Sequence, residues 1–263
     1  MPVMFTGVVL LAVAASFAVA ARSEVSSEAA TEPVVQTEVL PLTASPPPVS
    51  AEMRADIMMA RKRFREAIDL YRQAGLNSPV ILNKTGMAFY QLDDLTHARK
   101  YYELAVKVKP DYAQAINNLG TVDYAQKNYR RAIRAYKNAL RLEPRSAPFL
   151  SNLGTAWFAR KNYTQAFELY QEAMQIDPEI FEYRDSLGST LVERDVAERA
   201  KFHFYLAKAY AKAGKTDRAL LYLRKALEEG FKDRAQITGG PEFAPLKDNE
   251  EFIQIMAMEP RVL

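Results

Sequence analysis

Residues 113–146 read AQAINNLGTVDYAQKNYRRAIRAYKNALRLEPRS and residues 147–180 read APFLSNLGTAWFARKNYTQAFELYQEAMQIDPEI. Aligned, they share a Leu-Gly pair preceded by Asn, and a 34-residue period extends backwards from them. Gly86, Gly120 and Gly154 are spaced by it. So are Ala98, Ala132 and Ala166; Tyr102, Tyr136 and Tyr170; Ala105, Ala139 and Ala173; and Pro110, Pro144 and Pro178. With each residue type used at roughly 7%, ten such recurrences have a chance probability on the order of 10⁻¹¹, so the period is structural.

Each column has a physical reason if the unit is a pair of antiparallel helices. Leu150, Leu153, Gly154 and Trp157 recur at three and four residues and make one apolar face of a first helix. Tyr163, Ala166, Tyr170 and Ala173 do the same for a second, and the polar stretch Ala159-Arg160-Lys161-Asn162 is the length that joins antiparallel neighbours. Gly154 and Ala166 are small enough for close backbone approach, and Pro178 ends the second helix. A unit of this kind cannot bury its apolar faces alone, so it must stack on its neighbours.

These columns resemble the signature of the tetratricopeptide repeat family. The resemblance is close over 79–180, three units in phase. A degenerate unit precedes them, with Ala55, Phe64, Ala67, Tyr71 and Ala74 in place and Pro79 early. A further unit follows from Ala200, with Leu206, Ala207, Tyr210, Ala219 and Ala226 matching and Phe231 where proline is expected. Leu187-Gly188 keeps the spacing, but 200–214 cannot be both the second helix of that unit and the first of the next. The expected organisation is therefore a signal peptide or N-terminal membrane anchor at 1–20 and a Pro/Ser/Thr/Glu-rich linker at 21–50. A degenerate unit at 51–78, three close repeats at 79–180, an insertion at 181–199, a further unit at 200–233 and a C-terminal cap at 234–263 follow. The resemblance implies an all-α, right-handed superhelical solenoid of antiparallel helix pairs, about five units long.

The first fifty residues set the expected location. Residues 3–21 are uncharged and mostly apolar, and Ala18-Val19-Ala20 is a small-x-small pattern suited to signal peptidase; the run is also nearly long enough to span a bilayer. Export to the periplasm or outside the cell is expected, with cleavage or inner-membrane anchoring both open. Residues 21–50 end in Pro46-Pro47-Pro48 and lack helical or alternating periodicity, which reads as a tether. They hold one Arg against four Glu and residues 1–20 hold no charge, so residues 51–263 carry +6 and the whole chain +3. Those basic residues are interleaved with acids, which argues against nucleic acid as a partner. The chain has no cysteine, which excludes disulfides, thiolate metal sites, a cysteine nucleophile and acylation at a lipobox.

No catalytic, metal or cofactor constellation is legible. His97 and His203 are far apart in sequence, no nucleophile-elbow, zincin, P-loop or dinucleotide motif occurs, and the acidic pairs Asp93-Asp94 and Glu228-Glu229 fall at helix connections or ends. The expectation is a non-enzymatic scaffold without cofactor, with another protein or peptide as partner, a membrane only through an uncleaved N-terminus, and self-association as the alternative. The family resemblance implies that first helices line a concave groove that receives an extended peptide or partner helix. Candidate groove residues are Asn83, Lys84, Asn117, Asn118, Ser151 and Asn152, with the aromatic row Tyr90, Tyr124 and Phe158 on the same helices. Side-chain amides offer donor and acceptor together, and can pair with an extended backbone whatever its sequence. Lys84 interrupts the row where Asn118 and Asn152 stand in the next two units.

Overall fold

The computed structural model describes residues 49–182 and 195–258. The expected export segment, nearly all of the linker and the middle of the expected insertion lie outside them. Every described element is helical, and the helices pair in chain order: α1 (Ala51–Ala60) with α2 (Phe64–Ala74), α3 (Pro79–Gln91) with α4 (Leu95–Val108), α5 (Ala113–Ala125) with α6 (Tyr129–Leu142), and α7 (Ala147–Ala159) with α8 (Tyr163–Ile176). After the undescribed segment come α9 (Val196–Lys212) and α10 (Thr216–Glu228), then α11 (Arg234–Thr238), a 3-10 turn (Pro241–Leu246) and α12 (Glu250–Ala257). Consecutive pairs pack as a solenoid of the tetratricopeptide type. α9 starts at Val196, with the Asp195 carboxylate accepting the Glu198 N–H at 2.7 Å, so the helix takes in the last residues of the segment read as an insertion.

Local chemistry sets the helix ends. Pro79 and Pro148 occupy first turns, where the missing N–H has no intrahelical partner to lose. Asp94 and Asn162 cap α4 and α8 by accepting the backbone N–H groups of His97 and Gln165. α4, α6 and α8 stop at Val108, Leu142 and Ile176, each two residues before a proline. α10 has Phe231 instead, and stops because Gly230 takes φ +90° while Phe231 N–H returns to the Ala226 carbonyl at 2.9 Å. The freed Phe231 ring stacks on Phe204 at 4.2 Å.

The turn inside each pair is the same Schellman closure. Asp94, Asn128, Asn162 and Lys215 return their N–H groups to the carbonyls of Phe89, Asp123, Trp157 and Tyr210 at 2.8–3.0 Å. The residue before each must be left-handed: Asp93 (φ +59°), Lys127 (+60°), Lys161 (+62°) and Gly214 (+70°), with Lys62 (+58°) in the first pair. Only Gly214 meets that requirement without a Cβ penalty.

Between paired helices the interface is a ring laid on a glycine. A Cβ built on Gly86, Gly120 or Gly154 would stand 2.6–2.7 Å from the ring of Tyr102, Tyr136 or Tyr170, closer than real Cβ contacts come. Ala98, Ala132 and Ala166 are fully buried beside them. One apolar cluster runs from α6 through α12, and the C-terminal elements bury Ile237, Phe243 and Ile255 completely. The Arg234 guanidinium ties that end down by donating to the carbonyls of Met256 and Met258.

A left-handed lysine costs roughly 1 kcal/mol, of which the extra unfolded-state freedom of glycine cancels part. Lys127→Gly should therefore raise stability by about 0.5 kcal/mol, seen as a higher urea midpoint with unchanged slope. Lys161→Gly should add to it independently, being one unit away.

Candidate binding face

The first helices α3, α5 and α7 lie against one another, so residues of different units meet along the face they share. Asn118 Nδ2 on α5 donates to Asn83 Oδ1 on α3 at 2.9 Å, and Asn152 Nδ2 on α7 donates to Asn117 Oδ1 on α5 at 2.9 Å. Asn117 Nδ2 donates to Asn118 Oδ1 at 3.2 Å, and Asn83 Nδ2 reaches Met87 Sδ at 3.7 Å. The amides form one directional relay running α7 to α5 to α3. Each pair joins residues 35 apart, one more than the repeat.

The relay divides the asparagines into two sorts. Asn83 and Asn117 are each 6% exposed and act as internal acceptors. Asn118 and Asn152 are half-buried, and each amide nitrogen carries a second N–H besides the one committed to the relay. Ser151 is buried and its hydroxyl donates to the Pro148 carbonyl at 3.1 Å. Beneath the row, Tyr136 and Tyr170 direct their hydroxyls to Thr121 and Thr155 at 3.4 and 3.5 Å.

Lys84 belongs to a different construction. Its ammonium is 2.8 Å from both Glu52 Oε1 and Asp56 Oδ2, and Asp56 Oδ1 also accepts the Tyr71 hydroxyl at 2.6 Å. Burial pulls the Lys84 pKa down, but the hydrogen bonds and charges of Asp56 and Glu52 outweigh it and leave the group raised. Lys84 thus joins α1, α2 and α3, and fastens the degenerate first unit to the regular stack.

The aromatic row is placed unevenly. Tyr90 and Tyr124 are half-buried, Tyr124 lying 5.3 Å from the Tyr129 ring. Phe158 is 1% exposed, walled in by Tyr163, Phe202 and Tyr205 at 5.0–6.1 Å. Asp123 is the residue that the column reading passed over. It occupies the column of Phe89 and Trp157, is 5% exposed, and holds Arg99 at 2.7 Å and Arg131 at 3.4 Å. That ties α4 to the following unit. A lone acid in an aromatic column was the available signal.

Each histidine faces a carboxylate: His97 Nδ1 lies 2.7 Å from Asp94, exposed, and His203 Nδ1 lies 2.6 Å from Glu229, buried. Among the described residues no three His, Cys, Asp or Glu are grouped to hold a metal, and no helix is long and apolar enough to cross a membrane.

Tetratricopeptide repeat models match residues 81–112, 117–179 and 185–233, more than half of the chain. The chain belongs to the tetratricopeptide repeat family. The match over 185–233 begins inside the segment read as an insertion. Among solved tetratricopeptide structures, the chain is similar to MamA 41-end from Desulfovibrio magneticus RS-1, at 20% identity over 71% of this chain and 94% of that one, TM-score 0.46. It is also similar to the first repeat domain of Spaghetti (RPAP3) bound to the HSP90 peptide SRMEEVD, at 23% identity over 42% and 90%, TM-score 0.40. The Sgt2 repeat domain from Aspergillus fumigatus gives 27% identity over 46% and 85%, TM-score 0.41. A comparison with curated proteins finds no match.

Lys84→Met removes one cation from between two carboxylates. At 29% side-chain exposure the expected cost is about 1–2 kcal/mol, between the values for exposed and buried pairs. A raised lysine pKa stabilises fully below the unfolded value of 10.5 and loses its effect as pH rises through the folded value. The gap in urea midpoint between parent and variant should hold steady below 10.5 and close as pH rises from there through the folded value.

Proposed function

We propose that the chain is a non-catalytic scaffold that holds a polypeptide partner along the face lined by α3, α5 and α7. It does so after export, in the periplasm or outside the cell, as part of envelope assembly or secretion. Family membership supports the scaffold, since the tetratricopeptide fold is typically a non-catalytic platform for protein interaction. The apolar leader-like run at 3–21 and the proline-rich tether that follows it support the location.

The observation that carries the reading is the asparagine relay. It holds neighbouring first helices in register, while Asn118 and Asn152 each have an amide N–H left over for a backbone carbonyl of the partner. Tyr124, half-buried beside them, supplies an apolar surface with a polar tip. A face already ordered by its own hydrogen bonds gives up little conformational freedom when a chain docks on it.

The test is affinity capture from an envelope extract with the full chain as bait, beside Asn118→Ala/Asn152→Ala/Tyr124→Ala. The relay bonds are worth about 1 kcal/mol each, so the variant should melt a few degrees lower yet remain folded at the capture temperature. The expected result is a protein retained by the parent and lost from the folded variant. Identical retention by both would place the partner elsewhere, and no retention by either would remove the scaffold reading.

A further inference from the structure

The turns within pairs two and three of the regular stack frame a cavity of about 370 Å³, lined by Lys127, Asn128, Tyr129, Arg130, Arg131 and Arg160. Four of the six are cations and none is an acid. Lys127, Arg130, Arg131 and Arg160 are all exposed. Asp123 is the nearby acid, and it is engaged at 2.7 Å by Arg99 and more distantly, at 3.4 Å, by Arg131. Among the described residues no ion pair involves Lys127, Arg130 or Arg160.

The cavity carries the inference, and two local arrangements around it point the same way. The first turn of α6 bears Arg130 and Arg131 and no acid, which sets cations at the positive end of the helix dipole. Lys127, Arg130, Arg131 and Arg160 line the same cavity, where like charges repel. Both are unfavourable in the free chain, and local rules broken together mark functional positions. The two electrostatic strains are relieved by one class of ligand, an anion.

We infer that these two turns form a binding site for an acidic segment of a partner polypeptide, with Lys127, Arg130, Arg131 and Arg160 pairing its carboxylates. Arginine matches the planar carboxylate with two parallel N–H donors. Because the cations come from two successive turns, the ligand that satisfies them bears several carboxylates in series, as a run of Asp and Glu does. None of the relay asparagines lines it, and the site stands whether or not their face binds a chain.

The experiment is fluorescence anisotropy of a dye-labelled oligoglutamate peptide titrated with the full chain at low salt. The parent should bind, and Lys127→Gln/Arg130→Gln/Arg160→Gln should bind about tenfold more weakly, the loss expected for three exposed charge pairs. A control of equal charge, Lys100→Gln/Lys107→Gln/Arg141→Gln, changes exposed cations outside the cavity and should stay close to the parent, while Asn118→Ala/Asn152→Ala reports any binding of the peptide on the other face. Equal weakening by cavity and control variants would reduce the effect to net charge and overturn the site. Loss in the asparagine variant alone would put the acidic chain on the other face, and absence of binding by the parent would end the proposal. Vesicles with and without anionic lipid complete the test: cavity-dependent binding to anionic vesicles by a parent that ignores the peptide would make this a lipid surface and contradict it.

Discussion

The close approach of a glycine backbone and a tyrosine ring sets the geometry of the regular stack. In three successive units the space where a Cβ would stand is filled by the Tyr102, Tyr136 or Tyr170 ring. The rings can lie there only because Gly86, Gly120 and Gly154 lack a side chain, and glycine in mid-helix is otherwise unfavourable by about 1 kcal/mol. That local cost is outweighed by the burial of a large aromatic surface in each unit. With the paired helices held this close, each first helix lies beside the next, and the amides of Asn83, Asn117, Asn118 and Asn152 come within hydrogen-bonding reach.

Coupling between units is thus both apolar and polar. Buried alanines and tyrosines remove water from the helix interfaces, a non-directional effect that would tolerate small slips of one unit on the next. The asparagine relay, the Arg99–Asp123 pair and the Lys84 cluster are directional, and each joins elements of different units. The polar contacts therefore select one register of stacking while the apolar ones supply most of the driving force. A scaffold that presents donors to a partner needs that register, because a row of amides is useful only at fixed spacing.

Much of the fold was legible because each repeated column demands a particular size: in the three regular units glycine leaves room for the tyrosine ring, and proline stops the second helix. Phe231 stands where proline is expected, and there Gly230 ends α10 by a different closure. The candidate face was legible in composition but not in geometry. The asparagine pairs join residues 35 apart, a stagger that a 34-residue alignment hides. Phe158 aligns with Tyr90 and Tyr124, yet the rings that enclose it, Phe202 and Tyr205, come from α9, beyond the point where the phase breaks. The partners of Lys84 lie 32 and 28 residues earlier, in the degenerate unit, where the early Pro79 breaks the 34-residue spacing. The cavity between turns was masked by counting charges along the chain, where cations are interleaved with acids, instead of across turns that the fold brings together.

Amide hydrogen exchange of the full chain carrying Gly120→Ala tests the central constraint most directly. The added methyl meets the Tyr136 ring at 2.7 Å and the Ala135 Cβ at 3.1 Å, so the pair α5–α6 must part or distort. If the glycine–tyrosine contact sets the stack, protection should fall together across α3 to α8, by the factor expected for an overpacking cost of about 1–3 kcal/mol. Loss confined to α5 and α6, or no loss at all, would show that the units hold their positions without it.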